Sequence, residues 1–242
     1  MAAHFPTTNG TEAGQWSPDG QGNGTHVLKT ALELDSYTVD GANLPVFDLG
    51  KFMSEPDSVE NSEACKHMAA CLRDTGVLVV RDPRATSHDS DKFMDMMERY
   101  FGQDHEAKMP EARPELHYQV GVTPELVEVP RCTMDPTCLK GIENQSEENK
   151  ATIPKGPDPK WRYFWRMGER PDPNKTKFAE LNSPPVVPKT FPEWQEVMDG
   201  WGSKMIAAVE VVAEMSARGF GLPKDTFMNA MHLGPHLLAP TV

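Results

Sequence analysis

One helical pattern constrains the fold of this 242-residue chain more than any other feature. Between residues 191 and 218, apolar side chains recur at steps of three and four, the periodicity of one face of an α-helix. Thr190 and Glu193 are spaced as a capping box, and Pro192 stands in the first turn, where a missing N–H is harmless. This apolar stripe is about six turns long and requires a large partner surface. Its members are Trp194, Val197, Trp201, Met205, Ala208, Val212 and Met215.

The composition limits the partners and the compartment. With 24 Lys+Arg against 36 Asp+Glu, the net charge is −12, so nucleic acids and anionic membranes, both polyanionic, would be repelled. No apolar run approaches the roughly 18 residues of a membrane span, and the first residues lack a signal-peptide pattern. We therefore expect a cytoplasmic protein with neither a nucleic-acid nor a membrane partner. The 18 Gly and 22 Pro residues indicate long irregular connections and exclude a simple helical bundle.

The first hundred residues predict a tail followed by a mixed α/β region. Residues 1–43 are rich in Gly, Thr, Asn and Gln without a sustained apolar period, and we expect them to be disordered. A short apolar run predicts a strand over Leu44–Leu49. A helix over about 62–75 is expected next, ended by a glycine. A buried strand at Val77–Val80 and a helix over Ser87–Phe101 complete the region.

The middle of the chain is irregular. Short strands are expected at 117–122 and 126–129, and the polar stretch 141–160 predicts a mobile surface loop. Trp161–Arg166 concentrates aromatic residues and arginines, which also occurs in platforms that stack nucleic-acid bases. Because the chain is acidic and has no second basic patch, we favour core packing, with the arginines paired to carboxylates or lying along apolar surface.

Four cysteines form two pairs with equal spacing. Cys65 and Cys71, like Cys132 and Cys138, are separated by five residues, whereas zinc ligand pairs have about two to four intervening residues. On a helix, Cys65 and Cys71 would also point in directions roughly 120° apart. We therefore expect four reduced thiols and no zinc site.

Several segments in succession resemble a known enzyme family. Leu44–Leu49, the helix through Cys65–Asp74 and the strand Thr75–Val80 are similar to the opening of the iron(II)/2-oxoglutarate oxygenases of the isopenicillin N synthase type. The helix that ends at Tyr100-Phe101 and the long helix before Gly219–Pro223 continue the resemblance.

The resemblance extends over about residues 44–240 and implies an α+β fold. This fold would comprise a mixed N-terminal α/β region, a long buttressing helix and only the beginning of a double-stranded β-helix, or jelly roll. After the tail expected over 1–43, the resemblance implies a non-haem dioxygenase N-terminal-like domain over 44–190, which contains the loop expected near 141–160, and an incomplete jelly-roll domain over 191–242.

The catalytic motifs of that family do not occur in this sequence. Its members hold iron through His-x-Asp/Glu and a distant second His, and they bind the far carboxylate of 2-oxoglutarate through Arg-x-Ser. None of the eight histidines has Asp or Glu two positions later, and no Arg-x-Ser is present. We therefore assign no catalytic, cofactor-binding or metal-ligating residue to this chain, and expect Fe(II) and 2-oxoglutarate only in the full-length family. The histidines are His4, His26, His67, His88, His105, His117, His232 and His236.

Residues 231–240 resemble the first jelly-roll strand, which in many members carries an Asn-Tyr-Tyr-Pro-Pro-like segment that contacts 2-oxoglutarate. In that register His236 stands in place of the asparagine and Leu238 in place of the co-substrate tyrosine. A truncation before the iron ligands is the resulting expectation.

Four candidate site residues have simpler interpretations. His232 and His236 have the i, i+4 spacing of a helical zinc pair, but the intervening Gly-Pro breaks a helix. His67 is expected at the surface or boundary of its helix. Asp48, at a strand end, is expected to cap or turn the chain.

Two functions and one alternative fold follow. The first is the N-terminal part of an oxidoreductase that acts on a small organic substrate, inactive as this chain. The second is a non-enzymatic interaction or regulatory module that binds a longer relative or itself through the stripe led by Trp194 and Trp201. The third is an unrelated α/β domain. The oxygenase-like fold predicts that Val46 and Val79 lie in one sheet beside the long helix.

Overall fold

Two three-stranded sheets and a 26-residue helix organise the structure, a computed structural model that describes residues 36–39 and 42–242. The helices and strands are β1 (Ser36–Val39), β2 (Ala42–Asp48), α1 (Leu49–Ser54), α2 (Val59–Thr75), β3 (Val79–Arg81), α3 (Ser87–Phe101), α4 (His105–Lys108), β4 (Gly121–Thr123), α5 (Pro136–Glu143), β5 (Arg162–Arg166), α6 (Trp194–Gly219), α7 (Thr226–Met231) and β6 (Leu237–Leu238). The architecture is α+β, as the sequence predicts.

The first sheet confirms the pairing that tests the oxygenase-like fold. Its order is β1-β2-β3, in which β2 and β3 are parallel and Val46 pairs with Val79. Phe47 and Leu49 pack in one buried cluster with Met215 of α6, so this sheet lies beside the long helix.

Regular secondary structure begins earlier in the chain than predicted. β1 lies inside the segment 1–43 that was expected to be disordered, and it pairs antiparallel with β2, most of which follows that segment. The pairing provides hydrogen-bond partners for the main-chain N–H and C=O groups of β1, and amino-acid composition does not reveal such pairing. The rest of that predicted tail, residues 1–35 and 40–41, lies outside the described residues.

Helix ends differ from the predictions where a side chain caps them. α2 begins at Val59 rather than near Ser62, because the hydroxyl of Ser58 accepts a hydrogen bond from the N–H of Asn61 at 3.2 Å. Gly76 ends α2 in the left-handed conformation, at φ 70°. β3 lies two residues later than the predicted start of its strand at Val77. α3 has the predicted bounds.

The predicted capping box of the long helix is wrong. α6 begins at Trp194, and no side-chain cap is present at Glu193, since its carboxylate instead accepts a hydrogen bond from Arg99 on α3. Gly219 is the last residue of the helix rather than its terminator. Both ends of the apolar stripe are buried, whereas its middle, around Met205, is half-buried.

The middle of the chain is less strand-rich than predicted. The strand expected over 117–122 is reduced to β4, because His117 and Tyr118 adopt left-handed backbone angles, with φ of 53° and 57°. Residues 126–129 form no strand. The predicted loop 141–160 overlaps the end of α5, a helix that the sequence did not predict.

The expectation of four reduced thiols is wrong for two cysteines. Cys132 and Cys138 form a disulfide, with their Cα atoms 5.1 Å apart. A 3₁₀ turn at Arg131–Thr133 followed by the first turn of α5 folds this segment back and brings the two side chains together. Cys65 and Cys71 are free and buried on α2.

The main core is an aromatic cluster formed by α3, β5 and α6. The ring centroid of Trp194 lies 4.7 Å from that of Tyr100 and 4.6 Å from that of Tyr163. Trp161 and Trp165 are buried in the same cluster, which with Tyr163 confirms core packing for three aromatic residues of Trp161–Arg166. Phe164 is half-buried outside that cluster.

A carboxyl group is buried beside this cluster and gives the protein a predicted pH dependence. Glu111 is 7% exposed, and burial raises the pKa of its carboxyl although Arg113 and Lys189 oppose the shift. The folded state therefore binds this proton more tightly than the unfolded chain, so the contribution to stability is full below the unfolded pKa and is lost as pH rises through the folded pKa.

We expect Glu111→Gln to raise the free energy of unfolding at pH 7 and to raise it less at pH 4. Urea denaturation at both pH values measures the difference, with the exposed Glu115→Gln as the control. Equal effects of Glu111→Gln at the two pH values would contradict this assignment.

Candidate functional site

The second sheet, in the order β4-β5-β6, has two chemically different faces. Neighbouring strands are antiparallel, so directly paired residues share a face and successive residues alternate between faces. One face carries Val122 with Tyr163 and Trp165 with Leu238. This face packs on the aromatic core, and β5 is tied to α6 by a hydrogen bond from Trp165 Nε1 to Asp199 Oδ1 at 2.8 Å.

The opposite face, which we call the arginine face, consists of Gly121, Thr123, Arg162, Phe164, Arg166 and Leu237. Arg162 binds Glu128 through two hydrogen bonds of 2.9 Å, and its guanidinium lies 5.1 Å from the ring centroid of Phe164. Lys160 also pairs with Glu128, at 2.8 Å. The predicted pairing of arginine with carboxylate is therefore present at Arg162.

Arg166 differs from Arg162 because no carboxylate in the described part of the chain forms an ion pair with it. It is 4% exposed and donates hydrogen bonds to the carbonyl oxygens of Met167 and Glu169 and, at 3.4 Å, to Asn182 Oδ1. No described residue accepts a hydrogen bond from its Nε. Burial lowers the pKa of this guanidinium.

A cleft of about 200 Å³ lies between α6 and α7. We call it the α7 cleft. Its lining residues are Gly168, Glu169, Ile206, Glu210, Met228, Met231, His232, Leu233, Gly234 and His236. Its lining includes His232 and His236, the two histidines with the spacing of a helical zinc pair.

The structure does not arrange those histidines on a helix. α7 ends at Met231, and the following turn holds Leu233 at φ 56°. One ring nitrogen of His236, Nε2, lies 3.0 Å from the carbonyl oxygen of Met231. Within residues 36–39 and 42–242, no group of three or more His, Cys, Asp or Glu side chains is placed to hold a metal ion.

The remaining candidates have the structural roles expected from the sequence. Asp48 caps α1, where it accepts a hydrogen bond from the N–H of Lys51 at 3.1 Å. His67 is exposed, and its ring packs edge-on against Phe47. Leu238, in the proposed position of a co-substrate tyrosine, packs against the aromatic core.

No local sequence pattern distinguishes Arg166 from Arg162. Period-two alternation in Trp161–Arg166 places the arginines opposite the tyrosine and tryptophan, but it does not show which arginine meets a carboxylate. That information lies in Glu128, 34 positions before Arg162.

Comparison with solved structures finds oxygenases of the same fold. The full-length T7H of Neurospora crassa in complex with alpha-KG is 18% identical, with a TM-score of 0.57 over 85% of this chain and 56% of that chain. The C-terminally truncated Neurospora crassa T7H in apo form is 16% identical, with a TM-score of 0.54 over 85% and 64% of the two chains. A Caulobacter crescentus protein assigned to the 2OG-Fe(II) oxygenases is 14% identical, with a TM-score of 0.59 over 82% and 55%.

These likenesses show a dioxygenase-like fold. The chain spans between 55% and 64% of the length of these three structures. No family model matches the sequence. No curated protein matches it either.

No helix among residues 36–39 and 42–242 is long and apolar enough to cross a membrane.

Proposed function

We propose that this chain is the N-terminal, supporting part of a 2-oxoglutarate/Fe(II)-dependent oxygenase of the isopenicillin N synthase type. The observation that carries the proposal is the sheet β4-β5-β6 packed on α6, in a fold shared with oxygenases over 82–85% of the chain. This sheet would be the beginning of the jelly roll, with residues 191–242 as part of that domain and residues 44–190 as the N-terminal domain.

We also propose that this chain alone has no oxygenase activity. In the full-length family, iron and 2-oxoglutarate supply the oxidant that acts on a small organic substrate. Three adjacent coordination positions must stay open on an iron held by two histidines and a carboxylate. The eight histidines of this chain lack the His-x-Asp/Glu pattern, so the residues present do not fit that group. A cytoplasmic location belongs to the same proposal.

An assay with Fe(II), ascorbate and 2-oxoglutarate labelled at C1 tests this part of the proposal. We expect the 242-residue chain to release no labelled carbon dioxide above the buffer level, with Neurospora crassa T7H and thymine as the positive control. If the chain released labelled carbon dioxide and the double variant His232→Ala, His236→Ala did not, the chain would bind iron through its own side chains. The proposal of inactivity would then be wrong.

A second function, a module that associates through α6, is favoured by an apolar cleft in the middle of that helix. The cleft is about 200 Å³ in volume, and its lining includes Met205, Ile206 and Val209 of α6 together with Leu237. Val209 is 52% exposed. Apolar surface of this kind is stabilised when a partner covers it. We propose a second copy of this chain, or a longer relative, as that partner.

We expect Val209→Glu to shift the protein from dimer to monomer in light scattering coupled to size-exclusion chromatography, because the new carboxylate would be buried in the contact. Val59→Glu, on α2, is the matched control, since Val59 is also exposed and lies on another helix. A wild-type protein that is monomeric at every concentration would contradict self-association.

A further inference from the structure

The disulfide between Cys132 and Cys138 is accessible from solvent, in contrast to the free thiols of the described chain. Both of its cysteines are half-buried, and Met134, which lies between them in the sequence, is 74% exposed. Neither cysteine belongs to the two buried hydrophobic clusters. Cys65 and Cys71, by comparison, are buried on α2. A small thiol in solution therefore reaches the disulfide and not the free cysteines, and exposed disulfides are the ones that exchange readily.

The disulfide lies in a long excursion of the chain whose two ends are held together. The N–H of Leu126 donates to the carbonyl oxygen of Asp158, and the N–H of Asp158 donates to that of Glu128, both at 2.8 Å. We call residues 129–157 the α5 excursion. The side chain of Glu128, directly before it, is bound by Arg162 of β5. A structural change within the excursion can therefore stay local, because its ends are fixed to the second sheet.

α5 itself depends mainly on short-range interactions. Of its eight residues, Ile142 is buried. The carboxylate of Asp135 caps the helix by accepting a hydrogen bond from the N–H of Thr137 at 2.8 Å, and Arg131 pairs with the same carboxylate. A helix this short is marginal in water without tertiary support. The covalent bond to Cys138, in the first turn, is therefore a main constraint on α5.

We propose that Cys132 and Cys138 are a reversible redox pair, which small thiols such as glutathione reduce, and that reduction releases α5 while the rest of the fold is retained. The oxidised pair holds the excursion closed, and the reduced pair leaves it open. This inference goes beyond the proposed oxygenase function and does not depend on it, since neither iron nor turnover takes part.

The reduction proceeds by two thiol–disulfide exchanges. The thiolate of the small thiol attacks Sγ of Cys132 and forms a mixed disulfide with it, while the bond between the two protein sulfurs breaks. The electron pair of that bond leaves on Sγ of Cys138, in the first turn of α5, where the helix dipole favours negative charge. A second thiol then displaces Cys132. Two small thiols are thus oxidised to one disulfide, and the protein gains two electrons and two protons.

Equilibration of the native 242-residue chain with mixtures of reduced and oxidised glutathione tests the redox step. The protein is then alkylated with N-ethylmaleimide without denaturation, and the modified cysteines are counted by mass spectrometry. We expect Cys132 and Cys138 to change together from disulfide to dithiol as the proportion of reduced glutathione rises. Cys65 and Cys71 are the internal control, because as buried thiols they should react only after denaturation.

Limited proteolysis with trypsin tests the release of α5. Lys140 is an exposed residue of α5, and Lys92 is an exposed residue of α3 that serves as the control. We expect cleavage after Lys140 to be at least about tenfold faster in the reduced protein than in the oxidised protein, and cleavage after Lys92 to be unchanged. The double variant Cys132→Ser, Cys138→Ser should be cleaved like the reduced protein at every glutathione ratio.

Three results would each overturn the proposal. If the disulfide stayed oxidised in a large excess of reduced glutathione, it would be a structural cross-link. If cleavage after Lys140 were equal in the two redox states, α5 would not depend on the disulfide. If reduction abolished the cooperative thermal unfolding transition of the whole chain, the bond would stabilise the entire fold and would not act as a local switch.

Discussion

Replacing Trp194 with alanine is expected to lower the free energy of unfolding by about 3–5 kcal/mol. Trp194 is fully buried at the first turn of α6, and its ring lies against Tyr100 of α3 and Tyr163 of β5. Truncation would leave a cavity at the point where these three elements meet, and rigid neighbouring rings cannot collapse to fill it. Urea denaturation followed by circular dichroism measures the change.

Trp194→Phe is the matched variant. It retains an aromatic ring and removes Nε1, a buried donor for which none of residues 36–39 and 42–242 provides an acceptor. Because that unpaired N–H is unfavourable in the folded state, its loss offsets part of the lost packing, and we expect a cost below about 1.5 kcal/mol. Trp201 is at a half-buried position of the same helix. If Trp194→Ala lowered the free energy of unfolding no more than Trp201→Ala does, the central role of Trp194 would be contradicted.

The elements that the sequence predicts well are those whose pattern follows one buried face. α3 has its predicted bounds, and α6 follows its apolar stripe, because burial of a single face fixes a helical period. In both helices the signal lies in neighbouring residues. The placement of Val46 and Val79 in one sheet was instead expected from the family resemblance, and the structure adds that their strands are parallel.

The features that the sequence missed depend on residues far apart. The capping box failed because Arg99, 94 positions earlier, binds the Glu193 carboxylate. Likewise, Glu128 distinguishes Arg162 from Arg166, and no local pattern indicates which arginine it meets. The disulfide between Cys132 and Cys138 depends on a tight turn that the spacing alone did not reveal. Helix ends, ion pairs and candidate ligand sites are thus decided by tertiary contacts.

The crossing of α2 and α6 gives the second large prediction. A Cβ atom added at Gly219, the last residue of α6, would lie 2.1 Å from the carbonyl oxygen of Cys65 and 2.8 Å from the Cβ atom of Ala69. Both obstacles belong to α2, and a backbone oxygen within a helix cannot move aside. Gly219 therefore lets the two helices approach each other at this point.

We expect Gly219→Ala to lower the free energy of unfolding by about 2–3 kcal/mol, the overpacking cost less the gain in helix propensity. Gly200→Ala is the control in the same helix: its added Cβ atom would meet nothing within 4 Å, so it should stabilise the protein by about 0.5–1 kcal/mol. The opposite signs separate the packing effect from the propensity effect, which is common to both changes. If urea denaturation showed both variants to be stabilised, α2 and α6 would not be in close contact at Gly219, and the arrangement of the first sheet beside the long helix would have to be revised.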